Sequence, residues 1–343
     1  MPKIKYNNRI NFLTLKEDDS VQFNTRLLLE KLFGTFQKEF QNQNQFLSLN
    51  DYVREFNQDL NDVEKIKKIG KGGFGTVYQM KQKLTNRIVA VKKCDYETVE
   101  EKSVFDNEYQ MMQNIYRIVS QSSPSSFIHI VQPLGFFLNE NKDEAYLVME
   151  YCENGDLRQY VENMKKSGTE ISDKKCWEFV GSIASAIHQL HSNRIIHSDL
   201  KPENVLLSSD FKVKLTDFGL SRELKPDKDY MTAQAGSMLY LAPELLKISE
   251  VLTNMEESAD FIQQRIVQTP ASDIWSIGGL GAQLLIPSLV ANPAIQAAEL
   301  PIHYQASLRN LIKAMLIKDP IRRITAHDIL QVPEVVSSLK KRK

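Results

Sequence analysis

Two short stretches decide the fold of this chain: residues 197–204 read His-Ser-Asp-Leu-Lys-Pro-Glu-Asn, and residues 217–219 read Asp-Phe-Gly. The first stretch follows a helical pattern and ends in a loop. The second directly follows a hairpin pattern, in which the turn 208–210 joins short strands at Val205–Leu207 and Val213–Leu215. Together they place two aspartates, a lysine and an asparagine on loops beside one hairpin.

These polar groups are the ones that phosphoryl transfer requires. The reaction needs a carboxylate that orients the attacking hydroxyl, and oxygen ligands that hold Mg2+ on the phosphates. Asp199, Lys201, Asn204 and Asp217 supply such groups in this order and spacing. Any one of them alone would be an ordinary loop residue, but the whole set indicates a phosphotransferase.

A glycine-rich run lies nearer the N-terminus, where residues 70–77 read Gly-Lys-Gly-Gly-Phe-Gly-Thr-Val. Glycines let backbone N–H groups approach phosphates closely, because no Cβ stands in the way. The pattern G-x-G-x-x-G also marks dinucleotide sites, but there a helix follows it. Here Thr76–Met80 continues as a strand pattern, which excludes a dehydrogenase and favours a phosphate-covering hairpin.

The next strand pattern, Val89-Ala90-Val91-Lys92, places a lysine near that hairpin. Side chains alternate along a strand, so Ala90 and Lys92 share one face. A lysine that pairs with phosphates needs an acidic anchor, and Glu108 fits because it lies on a predicted helix from Thr98 to about Val119. Glutamates at the start of that helix are rivals, more typical of a solvated first turn: Glu97, Glu100 and Glu101.

The composition is that of a soluble globular protein with reduced thiols. The 343 residues hold 43 Lys+Arg and 43 Asp+Glu, so overall charge does not favour nucleic acid. The three cysteines have no C-x-x-C spacing, which argues against disulfides and zinc and indicates an intracellular, cytoplasmic protein, with the nucleus left open. The uncharged stretch 274–291 contains glycines and a proline, and it predicts a buried helix rather than a membrane span.

From about residue 62 to 335 these motifs resemble a eukaryotic protein kinase domain of the serine/threonine type. Ala242-Pro243-Glu244 and residues 273–278, Asp-Ile-Trp-Ser-Ile-Gly, add to the likeness. It implies an α+β, two-lobed protein kinase-like fold, with a small β-rich N-lobe carrying one main helix (about 62–151) and a larger α-helical C-lobe (about 152–335). Residues 1–61 are then a partly helical extension and 336–343 a basic tail.

The resemblance also implies an activity: transfer of the γ-phosphate of Mg-ATP to Ser/Thr hydroxyls of protein substrates. Lys92, anchored by Glu108, would hold the α- and β-phosphates; Asp199 would orient the hydroxyl and accept its proton, and Lys201 would neutralise the moving phosphate. Asn204 and Asp217 would bind Mg2+. ATP would contact Ile69, Gly70, Lys71, Gly72, Gly73, Phe74, Gly75, Val77, Ala90, Lys92, Met149, Glu150, Cys152, Asp156 and Leu206.

The chain departs from the family pattern in two places. Ser198 stands where the family usually has an arginine that a phosphorylated activation segment holds, so activity should depend less on phosphorylation of residues 217–244, with Tyr230 and Thr232 as candidate phosphosites. Glu244 and Asp273 are also farther apart than is usual, and residues 246–270 form an insertion with a predicted helix. The alternatives are a pseudokinase scaffold or allosteric binding module, and a small-molecule kinase.

Other positions carry structural predictions. Glu244 is expected to pair with Arg323, His197 to be a packing residue rather than a base, and His188 and His191 to pack in the core rather than bind a metal. Apolar residues at helical spacing in 29–40 predict a helix that either packs on a neighbouring domain or binds a partner. The partners expected are a protein substrate and a regulatory protein at the extension or the insertion, with no nucleic acid and no membrane.

Overall fold

The computed structural model describes residues 62–72, 75–122, 126–224, 238–246, 269–289 and 299–340. Several predictions fall outside these ranges: the extension 1–61 with its helix, most of the insertion 246–270, Tyr230 and Thr232, and the end of the basic tail. Gly73 and Phe74 of the glycine-rich run also lie outside the described residues.

A five-stranded antiparallel sheet forms the first part of the described chain. Its strands are β1 (Val63–Gly72), β2 (Gly75–Gln82), β3 (Ile88–Asp95), β4 (Pro133–Leu138) and β5 (Glu144–Glu150), in the order β1-β2-β3-β5-β4. Side-chain alternation along β3 puts Val89 and Val91 into one apolar cluster and Ala90 into the other. The two faces of the sheet therefore differ, and Ala90 lies on the face that packs against the main core.

One long helix packs against this sheet: α1, Val99–Ser122. Thr98 begins it with a capping box, because the Glu101 N–H donates to Thr98 Oγ1 at 3.1 Å and the Thr98 N–H donates to Glu101 Oε2 at 3.0 Å. Its buried face contains Phe105, Tyr109 and other apolar residues at helical spacing. The helix agrees with the predicted span, and Glu101 stabilises its first turn.

The remainder of the described chain is mainly helical. The helices are α2 (Leu157–Lys166), α3 (Asp173–His191), α4 (Pro270–Leu285), α5 (Ala306–Met315), α6 (Ala326–Ile329) and α7 (Pro333–Lys340). Two small antiparallel sheets of two strands each pair β6 (Ile195–Ile196) with β9 (Arg222–Glu223) and β7 (Val205–Leu207) with β8 (Val213–Leu215), and only the second pair is a hairpin. The predicted two-lobed α+β architecture is confirmed; we call β1–β5 with α1 the N-lobe and the rest the C-lobe.

Helices α3 and α4 form the centre of the C-lobe. α3 packs against α4, α6, α7 and β8, and α7 continues across residue 335, where the sequence-based boundary was placed. α4 is buried along almost its whole length, including Trp275, which explains why the stretch from residue 274 lacks charge. Among the described helices none is long and apolar enough to cross a membrane.

The extended, apolar pattern of residues 130–138 predicts one strand, and this prediction is wrong at its start. β4 begins only at Pro133. Ile130 instead forms a parallel bridge to Leu215 of the C-lobe, and the Val131 N–H donates to the Leu215 carbonyl at 2.9 Å. An extended pattern in the sequence predicts a strand but does not reveal which strand it pairs with. Here Ile130 and Val131 connect the two lobes instead of extending β4.

Candidate active site

The catalytic loop, residues 197–204, is organised around Asp199. Its carboxylate oxygen Oδ2 accepts hydrogen bonds from Lys201 Nζ at 2.7 Å and from Asn204 Nδ2 at 3.2 Å. The Asn204 amide also donates to the Asp199 carbonyl at 2.8 Å. Asp199 is only 8% exposed, so these donors stabilise a carboxylate that is largely removed from water.

A second loop brings Asp217 to the same place. The backbone N–H of Thr216 donates to the Asn204 carbonyl at 3.1 Å, which ties the two loops together just before Asp217. Asp217 has a left-handed backbone with φ of 63°, a conformation that aspartate tolerates better than most residues. Burial alone would lower the pKa of Lys201, but Asp199 and Asp217 outweigh it and raise that pKa.

Lys92 and Glu108 meet as predicted. Nζ of Lys92 lies 2.5 Å from Oε1 of Glu108, and the side chains are 12% and 10% exposed. Burial alone would lower the pKa of Lys92, but the carboxylates of Glu108 and Asp217 outweigh burial and raise it. The lysine is therefore a fixed positive charge that faces both α1 and the Asp217 loop.

The predicted adenine-contacting residues converge at the junction of sheet and C-lobe. Ala90 and Met149 are cross-strand partners on β3 and β5, and they share one apolar cluster with Cys152, Val77 and Leu206. Asp156 forms an isolated bridge with Leu206, and its side chain caps α2 by accepting from the Gln159 N–H at 2.8 Å. Ile69 lies on β1 and is 40% exposed.

The glycine-rich hairpin leaves room in front of this cluster. Gly75 has a φ of +150°, and a Cβ there would lie 2.3 Å from the Lys93 carbonyl oxygen, so only glycine fits. A Cβ built on Gly72 meets nothing within 4 Å, whereas one on Gly70 would touch Val77. The backbone at Gly72 is therefore accessible to a ligand, and Lys71 is its neighbour on the same strand.

Four contacts around the site were not predicted from the sequence: those of Asp273 with the catalytic loop, His191 with Asp273, Lys214 with Glu150, and Arg158 with Glu203. Asp273, 1% exposed on α4, accepts the N–H groups of His197 at 2.9 Å and of Ser198 at 3.0 Å. His191 also donates to Asp273 at 2.9 Å, so it forms a polar contact in addition to packing. The remaining pairs are Lys214 with Glu150 at 2.5 Å and Arg158 with Glu203.

The sequence offers little signal for these pairs. Lys214 lies between two apolar residues of a short strand, an alternation that predicts a solvent-facing lysine and not a buried pair. Asp273 opens one of the quoted motifs, although its contacts with the catalytic loop depend on folding.

Two structural predictions agree with the contacts observed. His197 is fully buried and both of its ring nitrogens are engaged, with Thr216 at 3.2 Å and Asp199 at 3.4 Å, which agrees with a packing role. Arg323 pairs with Glu244 at two points, both 2.8 Å, as predicted.

Comparison with known proteins identifies the fold family. The model of the protein kinase domain family matches residues 63–334, most of the chain. The chain belongs to the protein kinase domain family. This kinase domain is similar to "NUAK family SNF1-like kinase 1" of Homo sapiens, with 29% identity over 76% of this chain and 36% of the relative.

Other relatives are named as kinases too. "Carbon catabolite-derepressing protein kinase" of Secale cereale is 29% identical over 76% of this chain and 49% of the relative. "Serine/threonine-protein kinase PLK4" of Drosophila grimshawi is 29% identical over 83% of this chain and 35% of the relative. The chain thus spans about a third to a half of the length of these curated relatives.

Proposed function

We propose that this chain is an active, Mg-ATP-dependent protein serine/threonine kinase. The observation that carries the proposal is the convergence of Lys201 and Asn204 on the buried carboxylate of Asp199, together with the Lys92–Glu108 pair; both lysines feel the charge of Asp217. A pseudokinase scaffold has no need of this complete set of charges. The names of the relatives support serine and threonine as acceptors.

The residues divide the work of phosphoryl transfer. Lys92, held by Glu108, pairs with oxygens of the α- and β-phosphates of ATP. Asp199 orients the substrate hydroxyl and accepts its proton, while Lys201, hydrogen-bonded to the same carboxylate, compensates the charge of the transferred group. Adenine packs between Val77, Ala90 and Leu206, beside Met149, Glu150 and Cys152, and Asp156 reaches the ribose.

Asn204 and Asp217 fit a magnesium ion by the chemistry of their donors. Both amide hydrogen bonds of Asn204 use its nitrogen, which leaves the amide oxygen as its ligand atom, and Asp217 contributes a carboxylate. Bound Mg2+ would neutralise charge on the phosphates. With two protein ligands, the ion would be shared with the phosphates of the nucleotide.

The test is transfer of labelled γ-phosphate from Mg-ATP to a generic basic protein and to the chain itself, followed by identification of the labelled amino acids. Label on serine and threonine is expected. Nucleotide binding without transfer would favour a pseudokinase scaffold. Label on a small molecule alone would favour a small-molecule kinase. We further propose that the extension 1–61 or the insertion 246–270 binds a regulatory partner.

A further inference from the structure

A chain of side chains crosses the edge of the catalytic loop and links it to the segment 238–246. Arg158, in the first turn of α2, pairs through Nε with Oε1 of Glu203. Nη2 of the same guanidinium donates to the Tyr240 hydroxyl at 3.4 Å, and that hydroxyl donates to Oε1 of Gln283 at 2.8 Å. Glu203 directly precedes Asn204, so the ion pair lies beside the groups that hold Asp199.

A protein substrate must pass this place to bring its hydroxyl to Asp199. Asp199 and Tyr240 line one small cavity between the catalytic loop and the segment 238–246. Tyr240 is 4% exposed and fixed by its contacts, whereas the adjacent Leu239 is 41% exposed and available to a peptide. The Arg158 bridge joins the two elements between which the peptide would lie.

Arg158 covers the negative charge of Glu203. Arginine and carboxylate often pair at two points, but here Nη2 is directed to Tyr240 and only Nε contacts the carboxylate. Within the described chain, the second oxygen of Glu203, Oε2, has no hydrogen-bond partner and is out of reach of solvent, although the side chain as a whole is 41% exposed. A cationic group of a substrate would therefore have to compete with Arg158 for the Glu203 carboxylate.

We propose that Arg158 determines substrate specificity: by neutralising the charge of Glu203 it prevents the kinase from selecting basic residues next to the phosphoacceptor. The inference rests on the proposed kinase function. With both residues present the local charge is balanced. Without Arg158 the site presents an anion to the peptide, and without the Glu203 charge it presents a cation.

The experiment compares the full-length wild type with Arg158→Ala, Glu203→Gln and the double variant. The substrates are serine peptides that differ at a single flanking position, occupied by Arg, Ala or Glu and moved along the peptide in turn. The wild type should use Arg and Ala peptides almost equally. Arg158→Ala should favour an Arg peptide roughly tenfold in kcat/KM, because a charge-assisted hydrogen bond becomes available. Glu203→Gln should favour a Glu peptide, and the double variant neither.

Two results would overturn the proposal. The first is an active wild type whose kcat/KM ratios between Arg, Ala and Glu peptides are the same as those of the three variants. Arg158 would then have only a structural role, because loss of structure lowers kcat/KM for every peptide by the same factor. If the wild type phosphorylates neither peptide nor protein, the kinase proposal fails and this inference fails with it. Glu203→Gln preserves side-chain size, so its ratios decide the matter even where Arg158→Ala unfolds.

Discussion

Lys92 and Lys93 are neighbours on β3 with opposite surroundings. Lys92 pairs with Glu108, and both side chains are nearly buried. Lys93 pairs with Glu144 at the sheet surface, where the side chains are 34% and 30% exposed. Surface pairs contribute about 0–1 kcal/mol, whereas breaking a buried pair leaves an uncompensated charge. The exposed Lys93–Glu144 pair is therefore a matched control for experiments on the buried Lys92–Glu108 pair.

Glu108→Gln should lower kcat/KM for ATP by roughly 10- to 100-fold, because Lys92 loses a charge-assisted hydrogen bond worth about 1.5–3 kcal/mol. Steady-state kinetics with varied ATP measures the effect. Glu144→Gln is the control, and we expect its kcat/KM to stay within about twofold of the wild type. Equal losses in the two variants would mean that Lys92 has no special role.

At the scale of elements, α4 fixes the catalytic loop through Asp273. Two consecutive loop N–H groups and His191 donate to its carboxylate, and Ser198 has a φ of 72°, in the left-handed region. Burial alone would raise the pKa of Asp273, but the hydrogen bond and charge of His191 and the contacts with His197 outweigh burial and lower it. The charged form is therefore the one that the folded loop stabilises.

Asp273→Asn should reduce the free energy of unfolding at neutral pH by about 2–3 kcal/mol. Since the folded pKa lies below the unfolded value of about 3.9, the charged form contributes its full stability above the unfolded value and loses it as pH falls through the folded value. The difference between wild type and variant should thus shrink below about pH 4. Urea denaturation at several pH values measures the free energy of unfolding of both proteins. A difference between them that does not change with pH would refute the stabilising role of the charged Asp273. Asp95→Asn, at the exposed end of β3, is the control and should change little.

The contact between α4 and α5 depends on a glycine. A Cβ on Gly278 would lie 2.8 Å from two side-chain carbons of Leu316, whereas one on Gly281 would meet Ile312 at 3.1 Å. Gly278→Ala should therefore destabilise the fold by about 1–3 kcal/mol and Gly281→Ala by less. Thermal melting compares the two, and the reverse order would contradict this packing.

Elements formed by local contacts could be predicted from sequence, and those that depend on distant partners could not. The β7–β8 hairpin agrees with its predicted bounds because its turn and its alternating residues are contiguous. Residues 130 and 131 misled the prediction, since they contact Leu215 of β8 and not a neighbouring strand of the sheet. Arg158 and Glu203 are 45 positions apart, and Ser198 and Asp273 are 75 apart, so only the fold brings them together.

At the scale of the whole molecule, buried polar contacts connect the lobes on the side of β5. Lys214 of the C-lobe pairs with Glu150 at the end of β5, and Gln132 donates its N–H to the same carboxylate at 2.7 Å. The predicted adenine contacts Met149, Glu150 and Cys152 lie in this connection. The proposed ATP site and the connection between the lobes therefore share the same few residues.

Regulation also belongs to this scale, and Ser198 bears on it directly. A serine offers no positive charge to a phosphate on the activation segment, and within the described chain its buried Oγ has no hydrogen-bond partner. Thr232→Ala and Tyr230→Phe should each keep most of the wild-type activity, and phosphatase treatment should do the same. Abolished activity in Thr232→Ala would overturn this expectation. Kinase assays on the dephosphorylated proteins provide the measurement.

The measurement that tests the account most directly is γ-phosphate transfer from Mg-ATP by the wild type and by Asp199→Asn, with Asp210→Asn as the matched control. Asp199→Asn should still bind nucleotide, because Lys92 and Glu108 remain. Its transfer rate should fall roughly 10²- to 10⁴-fold, since the hydroxyl loses its base, while Asp210→Asn stays active. Transfer by Asp199→Asn at the wild-type rate, or binding without transfer by the wild type, would contradict the proposed kinase.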